Sequence, residues 1–444
     1  MSFSSVLPNP AVIFSIFVTI FLHGGWLLFV WLVLWILYKL YYFEIYHQWH
    51  HSLEWTYLQI RVPKENLTST LAVESVFGQM HALHSSLTFA NKYVEGKDQQ
   101  WYSLELISLG GKISFVVRTP KKARDLVEAS FYAQYPDAEI TEIADYMENL
   151  NYDPETSDIN IWGAEYKLLE DDVIPIKTYK DFEHPSAEEK IIDPLASQFE
   201  AMAKMAPHEF YGIQILIQPL GDNEWKPRGE IKVKKLIGEE VPHESKFSDI
   251  FMAPFNWIAH FSFKDTLLGG GHGHDEPKNQ KNDWMSLTEA AKERVNLIEK
   301  KIGKPGYKTK IRHLYIAPKD KFDGSKKGIV IGSYRPLGSV MTNQFKPDTK
   351  ITWTSIEYNI SPALERPYIE YEEKRRKRLV FNAYKDRDIH VGIPQYVLNI
   401  EELATLYHFP LSMKAISSTI EKTESKKSQA PVNLPVGEIW WPNS

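Results

Sequence analysis

The chain has 444 residues, 43% hydrophobic and 24% charged, with 51 basic against 57 acidic side chains and a formal net charge of −6. This is too long for one hydrophobic core and points to two or three domains, while the acidic balance argues against a dedicated nucleic-acid binder, which carries a basic excess. Cysteine is absent, which excludes disulfides, thiolate metal sites and cysteine nucleophiles.

No charged side chain precedes Lys39, and residues 11–37, AVIFSIFVTIFLHGGWLLFVWLVLWIL, are mostly large and apolar. As a helix they run roughly 40 Å at about 1.5 Å per residue, enough to cross a hydrocarbon layer of about 30 Å. A cleaved signal peptide would want a basic start, a shorter apolar run and a small-residue cleavage site. The stretch therefore reads as a retained, single-pass transmembrane helix in the cell membrane. Trp26, Trp31, Trp35, Tyr38, Tyr41, Tyr42 and Trp49 thicken toward its C-terminal side, as an interfacial aromatic belt does. Lys39 lies on that side too, so the positive-inside bias puts the body in the cytoplasm. The run HQWHH, residues 47–51, reads as interfacial and solvated rather than as a metal site.

Residues 54–63, EWTYLQIRVP, alternate as a half-buried strand. Residues 66–87 have helical spacing, with Asn66 or Thr68 as the cap. Residues 101–120 are two strands around a Gly110-Gly111 turn. Residues 121–136 are a helix ended by proline, and residues 138–146 a closing strand. The order βαββαβ is the ferredoxin-like plan, expected over residues 54–150.

Residues 151–208 read as a connecting segment, its first part rich in Asp, Glu and Pro. A second ferredoxin-like module is expected over residues 209–365, with a strand at 209–220 and a long insertion at 221–282. A helix at 283–303 follows, capped by Ser286, and then a strand at 307–318, a strand or short helix at 326–340 and a closing strand at 350–360. The predicted class is thus α+β: a transmembrane helix, then two ferredoxin-like modules. Residues 366–416 are expected as C-terminal helices and 417–444 as a polar tail.

The sequence has no phosphate loop of the G-x-x-x-x-G-K-[ST] type, no strand-borne G-x-G-x-x-G, no H-E-x-x-H and no G-x-S-x-G. His272 and His274 lie in a glycine run, GGGHGHDEPK, which lacks the rigidity a metal site needs. In EYEEKRRKRL, residues 370–379, Lys374, Arg376 and Lys377 stand four residues after Glu370, Glu372 and Glu373, the order of a solvated, self-paired helix. Trp101, Tyr102, Phe115 and Phe131 offer aromatic rings for stacking single-stranded nucleic acid, although alternating positions of this kind more often pack a core. No catalytic, cofactor or metal residues are assigned, and the chain reads as a non-enzyme.

Residues 396–410, YVLNIEELATLYHFP, resemble the ELA-x-L-(F/Y)-H-(L/F)-P element found just before the motor domain of membrane-anchored conjugation ATPases of the type IV secretion, HerA–FtsK-like superfamily. Residues 101–146 look like the amino-terminal module of the same proteins, through Trp101, Ser103, Glu105, Ile113, Phe115, Gln134, Tyr135 and Pro136. Gln134 stands directly before Tyr135 rather than one residue further back. Residues 307–322 resemble the family's second module, so the likeness covers roughly residues 54–410. The sequence stops where the family's motor would begin. The resemblance then implies a membrane-anchored scaffold that docks a separate ATPase, and the sheet edges and broad helical faces of paired ferredoxin-like modules suit assembly into a homo-oligomer. Glu401, Glu402, Leu403, Leu406, Tyr407, His408 and Pro410 are its candidate contact residues, with Leu403, Leu406 and Tyr407 as an apolar docking face or, equally, as residues packing on their own domain. A membrane-tethered single-stranded nucleic-acid binder is the alternative.

Overall fold

The computed structural model describes residues 26–63, 69–182, 193–239, 287–357 and 361–410, with positions 15, 19, 22 and 24 besides. Asn66, Thr68 and Ser286, the His272/His274 run, most of residues 11–25 and the tail beyond residue 410 lie outside the described residues.

The helix α1 (Trp26–His51) is separated by Ser52, Leu53 and Glu54 from β1 (Trp55–Arg61). There follow α2 (Thr70–Met80), the one-turn α3 (Phe89–Tyr93), the hairpin β2 (Tyr102–Leu109) and β3 (Lys112–Pro120), α4 (Arg124–Gln134) and β4 (Glu139–Ile143). The second half runs β5 (Ile159–Leu168), α5 (Ala196–Ala203), β6 (Phe210–Leu220), α6 (Asp222–Ile237), α7 (Glu289–Ile302), β7 (Gly306–Pro318), α8 (Lys327–Ser333) and β8 (Phe345–Pro347). The long α9 (Pro362–Asp386), then β9 (Tyr396–Asn399) and α10 (Ile400–Leu406), complete it.

Among the described residues the strands make one nine-stranded sheet in the order β4-β1-β3-β2-β6-β7-β5-β8, with β9 also on β7. Every pairing is antiparallel. The two halves do not stand apart: β2 pairs with β6 from Tyr102↔Ile217 to Leu109↔Phe210. That seam removes two exposed strand edges, which would otherwise invite pairing with other chains. β5 and β9 share one side of β7, β5 opposite residues 311–318 and β9 opposite residues 306–309.

Both faces of the sheet are covered. On one face α2 packs against α4 and α10, over a core that includes Leu58, Ile60, Leu104, Phe115, Ile213, Ile311 and Tyr315. On the other, α9 lies across β5 and β7, where Ile161, Leu314 and Ile316 meet Val380, Phe381 and Tyr384. The change of face between Ile161 and Trp162 follows from the two-residue period of a strand.

Several local expectations are corrected. The segment read as a connection contains β5, which sits inside the sheet between β7 and β8. Its acidic flanks and its burial on both faces hide the alternation that marks a half-exposed strand. Residues 350–357 are not a strand. They run beside β5 mainly through side chains: Thr354 Oγ1 accepts from Gly163 N at 3.0 Å and Thr352 Oγ1 from Glu165 N at 3.0 Å, with one backbone bond from Thr354 N to the Gly163 carbonyl at 3.3 Å. α7 is capped by Thr288, whose hydroxyl accepts from Ala291 N at 3.3 Å. The cationic stretch of α9 is only partly solvated, and of the expected pairs only Glu372–Arg376 forms, at 2.9 Å. Lys374 reaches Glu155 and Lys377 reaches Asn160, because that flank of α9 lies against the β5 region.

Candidate functional site

A row of polar side chains crosses the middle of the sheet. Glu105 on β2 stands opposite Gln214 on β6, Gln214 opposite Arg312 on β7, and Arg312 opposite Glu165 on β5. All four are fully buried, because the face they share is covered by the end of α9 and the segment after it. Burying such charges is costly unless each is paired and hydrogen-bonded, and here each one is. Arg312 donates from Nε to Glu165 at 2.9 Å, from Nη1 to Gln214 at 2.9 Å and to the carbonyl of Ala383 at 2.6 Å, and from Nη2 to the carbonyls of Asp388 and Val391. Glu105 accepts from Ser103, Gln214, Tyr146 and Arg387.

The row therefore clamps residues 383–393 to the sheet. Arg387 is the hub of that segment. It adopts the left-handed conformation (φ 53°) at the end of α9. It reaches Glu105 at 3.1 Å and Asp145 at 2.7 Å, and its guanidinium lies 5.0 Å from the ring centres of Tyr57 and Tyr146. At the other end of the row Glu165 accepts from Ile393 N at 2.7 Å. With its donors and acceptors engaged in this way, the row can hold a chain segment in place; it presents no free group for proton transfer.

The clamped segment carries the seat of α1. The carbonyl of Arg387 accepts from Trp101 Nε1 at 3.0 Å. Trp101 is fully buried, and His50 of α1 stacks on it at 5.4 Å. Tyr46 of α1 meets His390 edge-on at 5.7 Å. Beside these contacts opens a pocket of about 620 Å³ lined by Tyr46, His50, Trp55, Arg118 and Asp388 among others. Arg118 is 6% exposed and lies 3.7 Å over the Trp55 ring. Burial brings its pKa down to about 10. Among the described residues its Nε and Nη1 have no hydrogen-bond partner.

The expected interfacial residues are open. Trp26, Trp31, Trp35, Tyr38 and Tyr41 are 41–50% exposed, Lys39 is exposed with its Nζ 5.6 Å from the Trp35 ring centre, and Tyr42 is half-buried. His47 and His51 bring their Nε2 atoms to 3.1 Å, and among the described residues no three metal-ligating side chains converge.

The element 399–410 is internal. Leu403, Leu406 and Tyr407 are fully buried, His408 is 2% exposed and Pro410 is buried. Tyr407 and Phe409 pack on Phe115. They pack on their own domain, and no open apolar docking face remains on α10. Glu402 pairs with Lys301 at 3.0 Å, both fully buried, and burial raises its pKa. The half-buried Glu401 takes Lys304, Lys180 and Thr178. Its carboxyl is held low by the hydrogen bonds from these three groups, against the opposing effect of burial. Asn399 caps α10 reciprocally with Glu402. Trp101, Tyr102, Phe115 and Phe131 are at most 2% exposed, so they form no stacking platform for nucleic acid.

Fold and site together define a mixed α+β protein built on a large antiparallel sheet, with, among the described residues, one N-terminal helix, residues 29–51 within it, long and apolar enough to span a membrane. Residues 47–415 match a domain of unknown function, DUF8128, and the chain belongs to that family. No curated protein matches it.

Proposed function

We propose that the protein is a single-pass, membrane-anchored scaffold that holds a stiff body at the cytoplasmic face of the membrane. In this reading it is a subunit of a conjugation-like or type IV secretion-like apparatus to which a separate HerA–FtsK-type ATPase docks. The observation that carries the reading is the coupling of α1 to the body. Three residues separate the helix from β1, and its last turns rest on Trp101 and His390. A flexible tether would need a long polar linker; this junction transmits orientation instead.

Two further points support it. The strand orders β4-β1-β3-β2 and β8-β5-β7-β6 are each that of a ferredoxin-like unit, so the body reads as two such units fused through β2 and β6. Of the residues behind the family resemblance, Trp101, Ser103, Glu105, Ile113, Phe115, Tyr135 and Tyr407 are buried, Gln134 is half-buried and Pro136 is exposed. What the resemblance transfers is thus an architecture rather than a chemistry. A docked motor would meet the surface around Glu401, since the apolar side chains of α10 are internal. The test is crosslinking in native membranes followed by purification of the full chain. Recovery of a partner bearing a phosphate loop is the expected result; recovery of a lone monomer beside such an ATPase would overturn the assignment.

A further inference from the structure

We propose that α3 and the turn after it form a second contact with the bilayer, an interfacial foot beside α1 in which Phe89, Tyr93 and Val94 enter the headgroup zone. This rests on the anchoring reading above. The three side chains are 76%, 36% and 58% exposed, and the Phe89 and Tyr93 rings pack together at 4.6 Å. Together with Val94 at the C-cap they make one exposed apolar cluster.

Its position supplies the occupant. Tyr93 lies 6.4 Å from Tyr42 of α1, and the Tyr41 hydroxyl donates to the carbonyl of Val94 at 3.4 Å. Gly96 (φ +64°) is pressed on the backbone of Ile45 and Tyr46, 2.6 Å from where a Cβ would sit, so the turn is seated directly on the helix. At the same level α1 exposes Leu40 at 61% and Phe43 at 65%. The foot therefore continues the apolar surface of α1, and whatever solvates that surface also meets the foot.

Depth agrees. From Leu37, the end of the apolar run, to Tyr42 the helix rises about 7.5 Å at 1.5 Å per residue. The headgroup zone extends roughly 5–8 Å beyond the hydrocarbon on each side, and interfacial elements insert about 5–10 Å. The fold of α3 suits the task. Thr88 and Asn91 cap it reciprocally, and Lys92 lies with its Nζ 5.7 Å from the Tyr93 ring centre, placed to snorkel toward headgroups. Two contacts, the helix and the foot, fix both tilt and rotation of the body, which one helix alone leaves free.

The natural absence of cysteine permits a direct test on the full chain. Single variants Phe89→Cys, Val94→Cys, Leu34→Cys on α1 and Leu169→Cys on the body are spin-labelled in nanodiscs of mixed phosphatidylcholine and phosphatidylglycerol. All four native residues are exposed, so folding is preserved. The expected result is an oxygen-to-nickel accessibility ratio at positions 89 and 94 severalfold above that at 169 and close to that at 34. Water-like ratios at 89 and 94 with a lipid-like ratio at 34 would overturn the foot and leave the anchor standing. A water-like ratio at 34 would overturn both. Spin–spin coupling at 89 that disappears on dilution with unlabelled chain would mean that a second copy covers the patch, and would also overturn the proposal.

Discussion

Lys301 on α7 and Glu402 on α10 meet at 3.0 Å with both side chains sealed from solvent. The ammonium also donates to the Val397 carbonyl at 2.9 Å, and the carboxylate accepts from Ile176 N at 2.9 Å and from Asn399 N at 2.9 Å. One pair thus ties together α7, β9, α10 and the segment after β5.

Removing one member leaves the other buried and unpaired, which costs about 3–5 kcal/mol. Lys301→Met is expected to lower stability by that amount in chemical denaturation of the detergent-solubilised chain. Glu401→Gln, at a partly solvated carboxylate with Lys180 and Lys304, should cost less than half as much. Equal losses would mean that burial of the pair is not what matters.

His313 gives a pH dependence. It lies between Tyr211 and Tyr334, with Nδ1 at 2.7 Å and Nε2 at 3.1 Å from their hydroxyls, and burial lowers its pKa from 6.5 to about 3. The unfolded chain binds a proton that the folded chain refuses throughout this window. The neutral ring's contribution is full above pH 6.5 and is lost as pH falls toward 3, by about 1.4 kcal/mol per pH unit. His313→Gln should flatten the stability curve by that slope between pH 6 and 4.5. Parallel curves for the two proteins would refute the assignment.

Much of this architecture is legible in the sequence, and the exceptions share a cause. The apolar α1, the Gly110-Gly111 hairpin and the alternation of β1 and β4 follow from local periods that need no partner. The row of Glu105, Gln214, Arg312 and Glu165 does not. Each is one of several polar residues in its strand, and nothing in the local pattern separates it from a side chain that faces solvent. Only the lid formed by α9 and residues 387–393 turns that face inward. The lid arrives more than forty positions after β7 and more than two hundred after β2, and nothing local announces it. Likewise LATLYHFP reads equally well as an exposed or an internal apolar element, and the register of β9 on β7 decides for the interior.

Gly392 tests the clamp from the backbone side. It holds φ +100°, and a Cβ there would collide with the carboxylate of Glu165, which Arg312 and Ile393 already fix. Gly392→Ala carries the left-handed penalty of about 1–2 kcal/mol together with displacement of a buried ion pair. A loss of at least about 2 kcal/mol is expected in denaturant unfolding. Gly328→Ala, on a helix where a Cβ meets open space, should be neutral or stabilising, and is the control.

Trp101 is where the clamp and the anchor meet. Its ring packs with Leu216 and Ile389, its Nε1 holds the Arg387 carbonyl at 3.0 Å, and its face supports His50. Trp101→Ala removes a buried indole, at about 3–5 kcal/mol, and also takes away the surface on which α1 rests. Trp101→Phe keeps an aromatic face and loses only the indole hydrogen bond. If the junction transmits orientation, spin labels at Leu34→Cys and Leu169→Cys in nanodiscs give a narrow distance distribution in the otherwise native chain, a similar one with Trp101→Phe and a broad one with Trp101→Ala. A distribution already broad without any change at Trp101 would mean that Ser52, Leu53 and Glu54 act as a hinge. An equally narrow one in Trp101→Ala would locate the seat elsewhere, in the contact between Tyr46 and His390.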